Sequence, residues 1–366
     1  MKQDVIISTQ IQKTLAEAIA RCPYDRIFLL TDTVTEQLCW PLVAQVEPLK
    51  EARHIVIGAT DTHKTLETLA SVWKQLGDGG GTRHSLLVNL GGGMVTDLGG
   101  FAASTFKRGI RYINVPTTLL SMVDASVGGK TGINFNGLKN EIGVFNAAET
   151  VILDTEFLRT LDSENICSGY AEMLKHGLIS TREHLDELLA WPLDRADRLT
   201  DGELHALGQL VGRSVAVKED IVEQDPCEKG IRKALNLGHT VGHAFEALSL
   251  KRALETEGTP QAHRPILHGY AVAYGLVCEL YLACVKTGFP ADVMRLCVAF
   301  VKENYGTLPV TCDDYPTLYA YMQHDKKNTA GVINFTLLGG VGDIRIDQTA
   351  TKEEIFEMLD FFRDGQ

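Results

Sequence analysis

Ser85-Leu86-Leu87-Val88-Asn89-Leu90-Gly91-Gly92-Gly93-Met94-Val95-Thr96-Asp97-Leu98-Gly99-Gly100-Phe101 is the stretch that decides the fold. An apolar run of strand length ends in three glycines and passes into a helical pattern, the strand–turn–helix unit of a parallel α/β sheet. Glycines at such a turn let the backbone approach a pyrophosphate, and the helix start offers free N–H groups and a positive dipole end. The spacing is not Gly-x-Gly-x-x-Gly, so the usual dinucleotide fingerprint does not apply, and a plain tight turn is the competing reading.

The same alternation extends on both sides. Residues 26–32, 52–58 and 112–116 read as further strands and 65–76 as a helix between them, which predicts a Rossmann-like parallel sheet with ligands at the carboxyl ends of its strands. Asp32, just past the first of these strands, suits either a ribose hydroxyl or a helix cap. Lys64 alone reads as a solvated surface lysine. The densest polar segment runs from Asp124 to Asn134. Its Gly129-Lys130-Thr131 superficially matches a P-loop, but Asp124 stands where the upstream glycine is required and no strand leads directly in, which excludes nucleoside triphosphate binding. What is left is an acid, a lysine and small residues on one glycine-rich loop.

From about Phe157 the periodicity lengthens to helices over 167–179, 204–222, 235–249, 269–287 and 290–304. The expected organisation is an α/β domain over 1–156 and a mostly helical domain over 157–366. Residues 250–265 read as an exposed loop, 332–338 and 341–346 as a hairpin, and 351–362 as a closing helix.

Within the second domain, Leu235-Asn236-Leu237-Gly238-His239-Thr240-Val241-Gly242-His243-Ala244-Phe245-Glu246 carries two histidines four apart. That spacing puts both imidazoles on one helix face, and the flanking glycines admit a ligand or a second backbone, so a metal or anion site is predicted. The zinc-protease motif is excluded, since threonine stands where its glutamate base belongs. Glu172 and Lys175 share a helix face in Gly169-Tyr170-Ala171-Glu172-Met173-Leu174-Lys175-His176. Such a pair is often a solvent-facing ion pair, but these apolar surroundings make Glu172 a candidate carboxylate ligand. His268, opening the helix after Pro265-Ile266-Leu267, is a further candidate. Two histidines and one glutamate leave positions open for water or substrate, as catalytic zinc requires.

Composition bounds the function. The chain has 366 residues, 45% of them hydrophobic and 22% charged, with a net charge of −12. That charge argues against nucleic acid and anionic membranes as partners, and an anionic substrate would need locally concentrated cations. None of the eight cysteines forms a Cys-x-x-Cys pair, so buried thiols in a reducing cytoplasm are expected. The amino terminus lacks the apolar core of a signal peptide, and no uninterrupted apolar run of about 18 residues suggests a membrane span.

Taken together and in order, these segments resemble the 3-dehydroquinate synthase family of sugar-phosphate cyclases: Gly91-Gly92-Gly93 with Asp97, Arg108-Gly109, Pro116 to Leu120, Asp124 to Asn134, Lys139 to Gly143, Gly169 to Glu172, Leu237 to His243 and Asp325-Lys326-Lys327. The resemblance implies an NAD-binding first domain, a metal-binding second domain, a homodimer and an active site in the cleft between domains. It also implies a carbon–oxygen lyase of the shikimate pathway, which leads to chorismate and the aromatic amino acids. Glu172, His239 and His268 then stand at the zinc positions, with cobalt as the other candidate ion, and His243 at a substrate-facing position. His268 is preferred over His263 because Gly269-Tyr270-Ala271-Val272-Ala273 continues the family pattern.

Arg108, Asp124, Lys130, Asn140, Lys175 and Lys218 match the substrate-binding set, together with Arg232, Asn236 and one of Lys326 or Lys327. Asp32, Asp61, Lys64, Gly91, Gly92, Gly93 and Asp97 match the NAD set, together with Thr117, Thr118, Lys130, Lys139, Phe157 and Thr160. Ala125 departs from the family's serine and Asp61 from its glutamate, neither removing a ligand. The implied chemistry is oxidation of the carbon-5 alcohol of 3-deoxy-D-arabino-heptulosonate 7-phosphate, elimination of phosphate, return of the hydride, ring opening and aldol closure to 3-dehydroquinate. Related cyclases of sedoheptulose 7-phosphate or glucose 6-phosphate, a metal-dependent polyol dehydrogenase and a non-catalytic NAD sensor are the alternatives. The Asp124 to Asn134 block argues against the dehydrogenase, and the intact set of metal and substrate residues argues against the sensor.

Overall fold

The computed structural model describes residues 3–136, 138–193, 198–259, 262–324 and 332–365, so Lys326 and Lys327 lie outside the described residues. In chain order the elements are β1 (Asp4–Ser8), α1 (Ile11–Arg21), β2 (Ile27–Asp32), α2 (Thr35–Leu38), α3 (Trp40–Val43), β3 (Arg53–Ile57), α4 (Leu66–Asp78), β4 (Leu86–Gly91), α5 (Gly93–Thr105), β5 (Arg111–Pro116), β6 (Lys130–Phe135), β7 (Leu138–Phe145) and β8 (Thr150–Asp154). There follow α6 (Ser163–Leu178), α7 (Arg182–Leu189), α8 (Asp201–Gln224), α9 (His239–Thr256), α10 (His268–Thr287), α11 (Ala291–Tyr305), α12 (Tyr315–Gln323), β9 (Asn334–Gly340), β10 (Asp343–Thr349) and α13 (Lys352–Asp364).

The chain forms two compact units, Met1–Asp162 with Asp197–Glu219, and Ser163–Ala196 with Asp220–Gln366. The division lies slightly later than residue 156, and most of α8 belongs to the first unit. Composition read along the chain has no means of showing that a helix returns to an earlier unit.

In the first unit six parallel strands run in the order β1-β8-β5-β4-β2-β3. β2, β4 and β8 are buried at every residue, as central strands covered on both faces must be, and hence their near-continuous apolar runs. β3, at one edge, alternates with exposed positions. Helix α4 begins where the Thr65 hydroxyl accepts the Thr68 amide and buries Leu69, Val72 and Leu76, spaced to fall on one face. Burial of each such side chain is worth about 1.5–3 kcal/mol, so Val72→Asp would detach the helix. Of the segment expected to be a glycine-rich loop, Asp124 to Asn134, the first two residues end a single wide helical turn, Ser121–Ala125, residues 126–129 form the turn, and the rest is strand β6, which pairs antiparallel with β7. Without a long apolar run of its own, this hairpin owes its strand geometry to cross-strand pairing.

The second unit is mostly helical. Helix α9 continues to Thr256, through the first residues of the expected 250–265 loop. Leu250 and Leu254 are exposed, so no apolar stripe marks this part. It is held by polar contacts, with Arg252 bonding Pro309 O at 2.7 Å and Asp314 at 2.8 Å. Helix α10 is long and apolar enough to cross a membrane, but most of its surface is buried inside the protein. Three glycine contacts show how closely its neighbours approach. A Cβ on Gly269 would lie 1.8 Å from Ser168 O of α6, one on Gly275 1.9 Å from Gly238 O, and one on Gly242 of α9 2.9 Å from Ala271 O of α10. Only glycine permits these backbones to touch.

Candidate functional site

The same glycine contacts place the metal candidates, since Glu172 rides on α6, His239 opens α9 and His268 opens α10. Their ligand atoms lie within 4.8 Å of one another. Both imidazole Nε2 atoms stand 3.3 Å from Glu172 Oε1, and Lys175 Nζ stands 2.5 Å from Glu172 Oε2. Glu172 and Lys175 are almost completely buried, so the reading of this pair as solvent-facing does not hold. Lys175 also donates to Leu235 O at 2.8 Å.

His239 places Nδ1 3.1 Å from Leu237 O. A carbonyl only accepts, so Nδ1 carries the proton and Nε2 keeps its lone pair toward the cluster. Burial lowers this imidazole to about 4, against the opposing pull of Glu172. Burial acts on His268 in the same sense, but the facing carboxylates of Glu172 and Glu246 outweigh it and raise the group to about 10. Burial would raise Glu172, yet Lys175 and then His239 hold it well below the usual carboxylate range.

The carboxylate is therefore compensated by a lysine and a protonated imidazole. Neither Glu172 oxygen receives a hydrogen bond of good geometry despite full burial. A buried, ionised carboxylate oxygen facing two imidazole nitrogens is the donor set of a divalent cation with open positions, and these residues fit one. His263 is elsewhere engaged, 3.2 Å from Ser249 Oγ. Glu246, not singled out beforehand, lies 3.5 Å from His268 Nδ1, and its place seven residues after His239 on the same helix was the available signal. His243 is exposed, its ring 5.4 Å from that of His239. Arg232 is buried, donating to Pro226 O at 2.6 Å, and Asn236 donates to Glu228 at 2.8 Å.

In the first unit the carboxyl ends of neighbouring strands gather Asp32, Gly91 to Gly93, Thr117 and Thr118. Gly91 pairs with Pro116, and the Thr117 amide donates to Gly91 O at 3.0 Å. A Cβ on Gly91 would lie 2.6 Å from Val95, one on Gly92 3.1 Å from Thr118, and one on Gly93 3.2 Å from Ala125. No side chain caps α5, so its first amides are open to an anion, and the phosphates of a dinucleotide fit this turn. Asp32 Oδ1 accepts the Val34 and Thr35 amides, each at 2.8 Å, in the turn that leads into α2.

Lys64 is buried, 2.5 Å from Asp97 and bonded to Asn140, so it is not a solvated surface residue. Desolvation raises Asp97 despite Lys64. Lys218 binds both the carboxylate and the carbonyl of Asp124 at 2.5 Å. Asp61 pairs with Asn134 at 3.0 Å and stands 3.9 Å from Lys139. Lys130, at the start of β6, is exposed, whereas Phe157 is core and Thr160 donates to its carbonyl at 2.7 Å. Arg108 is not brought to these residues. It is exposed in a turn before β5, at φ +69° and at the amino end of the sheet.

A parallel sheet with an open glycine turn and a helical unit holding a buried carboxylate–imidazole set define an α/β enzyme equipped for cation-assisted chemistry. Family profiles described as 3-dehydroquinate synthase N-terminal and C-terminal match residues 54–168 and 169–328. A 3-dehydroquinate synthase of Parabacteroides distasonis is 52% identical over 364 residues, covering 100% of this chain and 99% of the relative. One of Streptococcus pyogenes is 33% identical, with 98% and 95% covered. A solved structure of 2-epi-5-epi-valiolone synthase from Streptomyces hygroscopicus subsp. jinggangensis, with NAD+ and Zn2+ bound, is similar at a TM-score of 0.83 and 25% identity, covering 100% of this chain and 98% of that one. The chain belongs to the 3-dehydroquinate synthase family.

Proposed function

We propose that this chain is a carbon–oxygen lyase that converts 3-deoxy-D-arabino-heptulosonate 7-phosphate into 3-dehydroquinate and inorganic phosphate. The observation that carries the reading is the Glu172–His239–His268 set, its carboxylate fully buried and His268 partly open to solvent, in a chain of this family. When bound, a zinc or cobalt ion supplies the charge that polarises a substrate hydroxyl, and NAD+ supplies a hydride acceptor restored within the turnover.

Glu172, His239 and His268 hold the ion. Glu172 brings the negative charge and His239 Nε2 a lone pair kept available by its Nδ1 bond to Leu237 O. His268 gives up its proton to a base in solution as the ion enters. His243, exposed one turn beyond His239, accepts and returns the hydroxyl proton of the substrate. The carboxylate and phosphate of the substrate require local cations in a protein of net charge −12. Lys130, Lys218 and Arg232 supply them, with Asn140 and Asn236 as amide donors. Gly91 to Gly93 would hold the phosphates of NAD+, and Asp32, Asp61, Lys64, Asp97, Lys139 and the Thr117–Thr118 corner would complete its site.

The test incubates Zn2+- or Co2+-loaded protein and NAD+ with the heptulosonate phosphate, with sedoheptulose 7-phosphate and glucose 6-phosphate in parallel, following phosphate and NADH. Phosphate release from the heptulosonate phosphate without net NADH is expected. Stoichiometric NADH without phosphate would sink the lyase reading, and release from another sugar phosphate alone would move the chain to a sister activity.

A further inference from the structure

We infer that Glu279 is a positioning residue of the metal centre, a buried clamp on the first turn of α9 that sets His239 against His268. The inference rests on the proposal that Glu172, His239 and His268 hold a divalent ion.

Glu279 sits in the middle of α10, where Lys286 is the only other Asp, Glu, Lys or Arg between His268 and Thr287. It is fully buried, and a carboxylate is costly in such a place unless hydrogen bonds compensate it. Its Oε2 accepts the Gly238 amide at 2.6 Å and its Oε1 accepts the Val241 amide at 3.1 Å. A helix cannot satisfy its own first amides, and they are also the positive end of its dipole. The residue before α9 is Gly238, left-handed at φ +79° and without a side chain that could cap. The cap is supplied instead by another helix.

The geometric consequence reaches the ligand. Gly238 lies between Leu237, whose carbonyl accepts from His239 Nδ1, and His239 itself. Lys175 holds Leu235 O from the α6 side. With Glu279 holding residues 238 and 241, the turn that carries His239 is fixed at both ends. Glu279 and His268 belong to one helix, so the clamp also ties the two histidine-bearing helices into one register, close to the point where Gly275 lets α10 touch Gly238 O. Partners behind the ligands commonly change metal affinity by about 10–100-fold when removed.

The experiment compares metal-free wild-type protein, E279Q and E279D, titrated with Co2+ by calorimetry and by visible absorption of the bound ion. Thermal melting of the metal-free proteins is recorded separately. The glutamine turns one acceptor into an NH2 group facing an N–H, and the aspartate is one methylene short of reaching both amides. Co2+ affinity is expected to fall about 10–100-fold in E279Q, with a changed absorption band and a smaller loss in E279D. A lower melting temperature with wild-type affinity and spectrum would overturn the inference and leave Glu279 a purely structural residue. Wild-type protein that binds no Co2+ would overturn the metal reading itself, which is a distinguishable failure.

If neither variant folds, hydrogen exchange on metal-free wild-type protein decides the matter. The Gly238 and Val241 amides are expected to be protected, and exchange at the rate of open helix-start amides would refute the clamp.

Discussion

Lys175→Met tests the electrostatics of the metal centre directly. Lys175 Nζ lies 2.5 Å from Glu172 Oε2 with both side chains almost entirely buried, so its removal leaves the buried carboxylate compensated by the His268 imidazole alone. Breaking a buried pair in this way costs about 3–5 kcal/mol. Methionine keeps an unbranched stem of similar length, which limits any cavity contribution. For a unit of this size each kcal/mol moves the melting temperature by roughly 2–4 °C, so the metal-free variant should melt about 6–20 °C below wild type. With Zn2+ bound the carboxylate again faces a cation, and most of that loss should vanish. Only the part due to the missing donor to Leu235 O would persist. By linkage, the variant therefore gains more stability from the ion than wild type does. Differential scanning calorimetry with excess EDTA and with excess Zn2+ measures all four states. An equal loss in both conditions would show that Glu172 does not face the ion.

His239→Ala should abolish both bound metal and turnover, whereas His243→Ala should retain about one ion per chain by atomic absorption and slow turnover by about 10²–10⁴-fold; equal loss of metal in both would show that the ligand assignment is wrong. Gly275→Ala would press a Cβ to 1.9 Å from Gly238 O, so a destabilisation of about 1–3 kcal/mol and weaker metal binding are expected; wild-type stability in urea unfolding would contradict the backbone contact. Hydrogen bonds from the Lys229 amide, then those of Gly230 and Arg232, hold the Asp225 carboxyl below its ordinary value although burial opposes them. A depressed carboxyl contributes stability above its unfolded value and loses it as pH falls through the folded one, so wild type should lose stability below about pH 4. Asp225→Asn should lack that part of the acid loss, and identical melting profiles from pH 6 to pH 3 would refute it.

The parts of the fold that could be read in advance are those with a strong local period. The Leu86–Gly91 strand, its glycine turn and α4 are legible because buried central strands are apolar runs and a half-buried helix shows one stripe. Elements stabilised mainly by partners were not legible. The β6–β7 hairpin lies in a polar, glycine-rich segment, and the last turns of α9 carry exposed leucines and Arg252, which is tied to Pro309 and Asp314. Burial of polar residues was equally hidden. Lys64 stands among polar neighbours in the chain, but Asp97 from α5 and Asn140 from β7 enclose it.

The metal site divides along the same line. From its spacing, the sequence determined that His239 and His243 share a helix face; apolar surroundings marked Glu172, and a helix start marked His268, as candidate partners, and the family pattern set these two with His239. Tertiary structure alone decided that His239 turns inward while His243 stays exposed, that Lys175 is buried beneath Glu172, and that Glu246 and Glu279 stand behind the histidines. The physical reason is the close approach of three helix backbones at Gly269, Gly275 and Gly242. Helical periodicity determines which way a side chain points around its own axis, but only packing determines what it meets.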